Sequence, residues 1–86
     1  MIAVVYTPSF VRQFKRLPAA IKDDVVERIE LFRADPRHRS LKVHKLQGSL
    51  KGFWSFSVNY SHRIVFQWDD RKTAGLLAVG DHAIYR

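Results

Sequence analysis

The chain has 86 residues, with fifteen Lys and Arg against eight Asp and Glu, a formal net charge of +7. That length makes one domain with a thin core, and the 47% apolar and 13% aromatic fractions are globular rather than disordered values. The absence of cysteine excludes a disulfide framework, thiolate catalysis and Cys-ligated zinc.

No apolar run reaches membrane-spanning length. The start MIAVVYTPSF lacks a charged segment followed by a long apolar one, which argues against a cleaved signal and makes a cytoplasmic protein the expectation. The basic balance favours a polyanionic partner. Asp23, Asp24, Glu27, Glu30 and Asp35 all fall in or at the end of one predicted helix, whereas no acid occurs from Pro36 to Trp68. Arg37, Arg39, Lys42, Lys45, Lys51 and Arg63 fall in that acid-free span, so one face of the domain should be positive.

Taken in order, Ile2 to Tyr6 is a β-branched run that reads as a short buried strand. Thr7-Pro8-Ser9 then starts a helix, because a hydroxyl cap followed by Pro suits a helix N-terminus. Phe10, Phe14 and Leu17 form its apolar stripe. Leu17-Pro18 breaks it and starts a second helix over about Pro18 to Ala34, with Ile21, Val25, Ile29 and Phe32 as the stripe and Val26 at its edge. This helical hairpin has one apolar face that needs a sheet to cover, and carries no evident chemistry.

Arg37 to Leu50 reads as a basic loop. In the following run, Trp54, Phe56, Val58 and Tyr60 alternate with Phe53, Ser55, Ser57 and Asn59. His62, Ile64, Phe66 and Trp68 alternate with Arg63, Val65 and Gln67. The aromatic side is the expected core, which leaves Arg63 with Ser55 and Ser57 on an open face. Asp69 to Lys72 is a charged turn, Ala74 to Val79 a further strand, and Gly80 lets the chain bend into DHAIYR. The fold class is α+β, in the order β-αα-β-β-β: a single domain over residues 1–86 with a small, mostly antiparallel sheet and the helical hairpin on one face.

Metal-free RNA cleavage needs a base for the 2′-hydroxyl, an acid for the leaving oxygen and fixed positive charge at the phosphate. Histidine carries protons near neutral pH, and the forked guanidinium of arginine suits a phosphate. His44 before the hairpin, Arg63 within it and His82 in the tail offer that set. Tyr85 anchors the tail by packing, stacks on a base or orients a phosphate. His62 and His38 read as structural, in a turn and a basic loop. No HExxH, GxxxxGK[ST] or GxGxxG motif is present, so neither a paired-histidine metal site nor a nucleotide-cradling loop is expected. No nucleophile elbow supports a Ser-His-Asp hydrolase.

The element order, the stretch HKLQGSLKGFWSFSV, the following HRIVFQW and the terminal GDHAIYR resemble the RelE/ParE superfamily of bacterial type II toxins over essentially the whole chain. They look most like the YafQ and YoeB branches, which are ribosome-dependent mRNA endonucleases. The resemblance implies a RelE-like fold and a toxin that cleaves mRNA in the ribosomal A site by 2′-hydroxyl attack, without metal or other cofactor. It implies catalytic roles for His44, Arg63, His82 and Tyr85, and RNA-backbone contact suits Lys42, Lys45 and Lys51. It also implies a cognate antitoxin that covers the basic face. YafQ-like toxins carry a histidine at the position of Ser57, and YoeB-like toxins carry arginines at those of Phe56 and Ser57. The ParE branch, which poisons DNA gyrase, and an inactive antitoxin-binding module are the alternatives.

Overall fold

The computed structural model describes residues 1–85 and contains two helices against a five-stranded sheet. Strand β1 is Ala3–Tyr6, helix α1 Pro8–Lys15 and helix α2 Ala19–Ala34. Strands β2, β3, β4 and β5 are His44–Lys45, Trp54–Ser57, Arg63–Asp70 and Thr73–Gly80. Single 3-10 turns occupy Arg39–Leu41, Gly48–Leu50 and His82–Tyr85. The spatial order is β1-β5-β4-β3-β2, with β1 parallel to β5 and every other pair antiparallel. This is the expected α+β architecture with one strand more than the sequence reading counts.

Local chemistry sets the boundaries. Thr7 caps α1, its Oγ1 accepting the Phe10 N–H at 3.1 Å while donating to the Leu77 carbonyl at 3.2 Å. Pro8 occupies the first helical turn, where its missing N–H costs nothing. Pro18 stands just outside α2, and its carbonyl accepts the N–H groups of both Ile21 and Lys22 at 3.0 Å. At the β4–β5 turn, Asp70 accepts the Lys72 N–H at 2.8 Å, and that backbone bond is the first cause holding its carboxyl below the ordinary carboxylate range.

The core lies between the helices and one sheet face. Phe10, Val25, Ile29 and Phe32 from the helices meet Phe56, Ile64, Phe66, Leu76 and Val79 from the strands. Phe32 is at its centre, stacked on Phe56 at 4.5 Å and edge-on to Phe66 at 4.9 Å between ring centroids. Trp54 and Trp68 flank this cluster partly buried.

Three expectations change. The first strand is a sheet edge rather than a buried element: Ile2 is buried, but Val5 and Tyr6 are 53% and 47% exposed because β1 has no neighbour on its outer side. Tyr60 is 99% exposed rather than in the core, because β3 ends at Ser57 and residues 59–62 form a turn. There Asn59 Oδ1 accepts the backbone N–H groups of Ser61 and His62 at 3.0 and 2.8 Å, which ends the alternation. Val26, at the edge of the α2 stripe, is 53% exposed.

The presumed basic loop also contains β2. His44 is in register with Ser55, and Lys45 with Trp54. A two-residue strand is too short to leave a period in the sequence, and only its partner strand makes it one.

Candidate active site

Register determines which side chains share the face away from the helices. Paired residues of antiparallel strands point to the same side, so His44, Ser55, Val65 and Ala78 form one row across β2-β3-β4-β5. Ser57, Arg63 and Gly80 form the next row. Two strand spacings and two residues of rise put the His44 and Arg63 Cα atoms about 12 Å apart, a gap their side chains can bracket from either end.

Each of these groups is held by local structure. His44 Nδ1 lies 2.8 Å from the Lys42 carbonyl oxygen. A carbonyl can only accept, so Nδ1 is the donor and the neutral ring presents Nε2 as its proton acceptor. Lys42 itself has φ 53° and ψ 45°, left-handed values uncommon for a side chain with a Cβ. That bend lies two residues before His44, which takes the carbonyl of the same residue.

Arg63 is half-buried at the start of β4. Its Nη1 donates to the carbonyls of Asn59 at 2.8 Å and His62 at 2.9 Å, closing the turn that precedes the strand. Among the described residues no carboxylate pairs with it. A guanidinium pinned by one nitrogen keeps its remaining N–H groups for an anion.

Arg63, His82, Lys42, Ser57 and Arg28 line one open groove of about 1040 Å³. Arg28 reaches it from α2, with Nε donating to the Ser57 carbonyl at 3.2 Å and Nη2 to the Ser40 carbonyl at 2.7 Å. Sequence reading assigns the helical hairpin no chemistry, yet a signal exists. Arg28 is three residues after Val25 and four before Phe32, which puts a cation beside the buried stripe.

The C-terminal turn His82–Tyr85 lies on this same face. Tyr85 Oη is 2.7 Å from Ser55 Oγ, and Ser55 is fully buried despite being polar and on the side without helices. Val65, its neighbour in the row, is also buried. The face expected to be open is therefore partly roofed by the tail. At Gly80 a Cβ would come within 2.5 Å of Ile84 Cγ2, so only glycine permits the return at this distance. Gly80→Val should lift the turn, read as faster exchange of the Ile84 amide with exchange in β3 and β4 unchanged. A protected Ile84 amide in that variant would show that the close approach does not hold the turn.

The remaining predicted residues fall as follows. His82 is exposed in the groove, its ring edge-on to Tyr85 at 5.9 Å between centroids. His44, on the edge strand β2, shares the sheet face but does not line the groove. Lys42 lines the groove, but Lys45 points to the helix side, its ammonium 5.5 Å from the Trp54 ring centre. Lys51 is exposed at the end of the Gly48–Leu50 turn, outside the groove lining. His38 accepts the Ser40 N–H at 3.2 Å as a turn cap, and His62 sits in the turn with Asn59 and Ser61, both structural positions. Phe56, set against an arginine in the YoeB-like comparison, is buried on Phe32, so only Ser57 of that pair lies on the site face.

Comparison with known proteins places this chain among toxins of type II toxin–antitoxin systems. The family model of the ParE toxin of the type II toxin–antitoxin system parDE matches residues 4–84. The toxin HigB-1 of Vibrio cholerae is 28% identical over 65 residues, covering 69% of this chain and 68% of that protein. Among solved structures, YafQ from E. coli strain BL21(DE3) superposes with a TM-score of 0.79 at 19% identity, covering 99% of this chain and 98% of that one. A YoeB/ParE toxin from Agrobacterium tumefaciens gives 0.75 at 20% identity over 94% and 99%. The RelBE2 toxin–antitoxin complex of Mycobacterium tuberculosis gives 0.71 at 26% identity over 94% and 98%.

Proposed function

The chain belongs to the ParE toxin family of type II toxin–antitoxin systems, within the RelE/ParE superfamily near YafQ and YoeB, and on that premise we propose that it is a ribosome-dependent mRNA endonuclease that arrests translation in the cytoplasm. The observation that supports this reading is that Arg63 and His82 line one groove, with His44 two strands away on the same sheet face and its imidazole held in the tautomer of a base.

In the proposed reaction, His44 Nε2 takes the proton of the 2′-hydroxyl, whose oxygen attacks the adjacent phosphorus. The bond from phosphorus to the 5′-oxygen breaks, and His82 supplies the proton that the leaving oxygen needs. The products are a 2′,3′-cyclic phosphate and a 5′-hydroxyl. Arg63 stabilises the charge that builds on the phosphate, and its fixed Nη1 means that little reorganisation is needed as the charge develops. The Tyr85 hydroxyl is engaged with Ser55 Oγ, so its ring, not its oxygen, positions the substrate. Lys42 meets the RNA backbone in the groove; Lys51 lies beyond it, where a more distant phosphate would pass, and Lys45 is turned to the helix side, away from this path. No step uses a metal or another cofactor.

The partner in the cell is a cognate antitoxin. Similar structures from Mycobacterium tuberculosis, Pyrococcus horikoshii and E. coli are toxin–antitoxin complexes. A basic, groove-bearing face suits an acidic segment of such a protein.

The name of the matching family favours one second reading, inhibition of DNA gyrase. One experiment separates the two. Ribosomes programmed with a defined mRNA should yield discrete cleavage products on addition of the purified chain, while gyrase supercoiling proceeds at the same toxin concentration. Blocked supercoiling with intact mRNA would establish the gyrase reading. Neither effect, with an antitoxin still bound, would leave an inactive binding module.

A further inference from the structure

Ser55 has no place in the reaction above, yet it is the one polar residue buried in the described chain. It sits in the middle strand of the β2-β3-β4 ribbon, directly between His44 and Val65 in register. Its burial does not come from the core, which lies on the other face with Trp54 and Phe56. The group within reach is the Tyr85 hydroxyl, at 2.7 Å.

We propose that Ser55 is a positioning residue, whose hydroxyl latches Tyr85 and so holds the His82–Tyr85 turn, and His82 with it, on the face that carries Arg63. The inference rests on the endonuclease reading for its effect on rate, but not for the latch itself. Among the described residues, Ile84 against Gly80 and Tyr85 against Ser55 tie the tail to the sheet. Ile84 follows His82 by two residues and Tyr85 by three, so both contacts fasten the turn just after His82. With only the Gly80 contact, the turn could pivot about Gly80 and carry His82 out of the groove.

The chemistry suits a latch. Two hydroxyls can each donate or accept, so the pair satisfies itself wherever its proton lies. Partly shielded from water, the bond is stronger than an exposed one, and losing the Tyr85 hydroxyl leaves the buried Ser55 hydroxyl unsatisfied. The small serine also leaves room for the Tyr85 ring above the strand, which a larger residue would fill.

The test is a double-mutant cycle on the full chain with Ser55→Ala, Tyr85→Phe and the double variant, and Ser55→Thr as the hydroxyl-keeping control. Three quantities are read: exchange of the Ile84 amide, the His82 ring-proton shift produced by the nearby Tyr85 ring, and kcat and KM for ribosome-bound mRNA. Loss of one hydrogen bond predicts roughly tenfold faster Ile84 exchange and a roughly tenfold lower kcat in each single variant. KM and the melting of the sheet should not change. The double variant should be no worse than either single one, since both delete the same bond. Ser55→Thr should recover exchange and kcat, and if it packs poorly the Tyr85→Phe arm still decides.

Unchanged Ile84 exchange and His82 shift in Ser55→Ala overturn the latch, whatever the cleavage result. Effects that add in the double variant also overturn it. Faster exchange with undiminished kcat in an active parent overturns the positioning role. A parent that never cleaves mRNA sinks the endonuclease reading instead, and the His82 shift then decides alone whether Ser55 places that ring.

Discussion

Arg63→Ala should slow cleavage of ribosome-bound mRNA by about 10²–10³-fold, the usual effect of deleting a fixed group aimed at developing charge. The structural basis is the way Arg63 is held. Nη1 is committed to the carbonyls of Asn59 and His62, so the guanidinium does not have to be ordered when the phosphate arrives. Arg63→Lys tests this directly. It keeps the charge but replaces the planar fork by a mobile ammonium, and should recover only a small part of the rate. The lost turn contacts cost about 1 kcal/mol of stability, so the fold survives and the melting transition should move only modestly. Single-turnover cleavage with matched circular dichroism melts makes the measurement. An Arg63→Ala protein that cleaves at the parent rate, or stays fully toxic in growing cells, would remove Arg63 from the site.

Phe32→Ala should be the most damaging change to the fold. Phe32 is fully buried on α2 and joins three elements, its own helix, β3 through Phe56, and β4 through Phe66 and Trp68. Deleting a ring at such a site costs about 3–5 kcal/mol, from lost transfer energy and from the cavity left behind. Small domains hold only about 5–15 kcal/mol in total, and each kcal/mol moves Tm by about 4–8 °C at this size. The variant should therefore melt at least about 12 °C below the parent in a thermal scan, and a shift under about 5 °C would contradict this account of the core. The consequence reaches the site, because Phe56 and Phe66 are immediate chain neighbours of Ser55 and Val65 on the opposite face. A slackened aromatic layer should loosen the row that carries His44 and the Tyr85 latch.

The sheet's two faces show how a single alternation serves stability and chemistry together. Trp54, Phe56, Ile64 and Phe66 point toward the helices, while Ser55, Ser57, Arg63 and Val65 point away. A one-residue slip in either strand would exchange these sets and bury Arg63 in the aromatic layer. The aromatic packing is thus what holds the proposed site in register.

Much of this was legible in the residues alone. Thr7-Pro8 marks a helix start, the spacing Val25, Ile29, Phe32 marks a buried stripe, and the alternation from Trp54 to Trp68 separates core from site face. The side of the sheet on which Arg63 falls follows from that alternation, as does the basic character of the span from Pro36 to Trp68. These are properties of neighbouring residues, expressed through the fixed periods of helix and strand. What only the tertiary structure decided involves partners distant in sequence. His44 and Lys45 become a strand only beside Ser55 and Trp54, and the same pairing sends Lys45 to the opposite side from His44. Arg28 reaches Ser57 across 29 positions, and Tyr85 reaches Ser55 across 30. Local periodicity holds no record of such contacts, because they arise when loops close and strands find their register, and the energy that selects them is the burial of a shared core rather than any preference of the residues that meet.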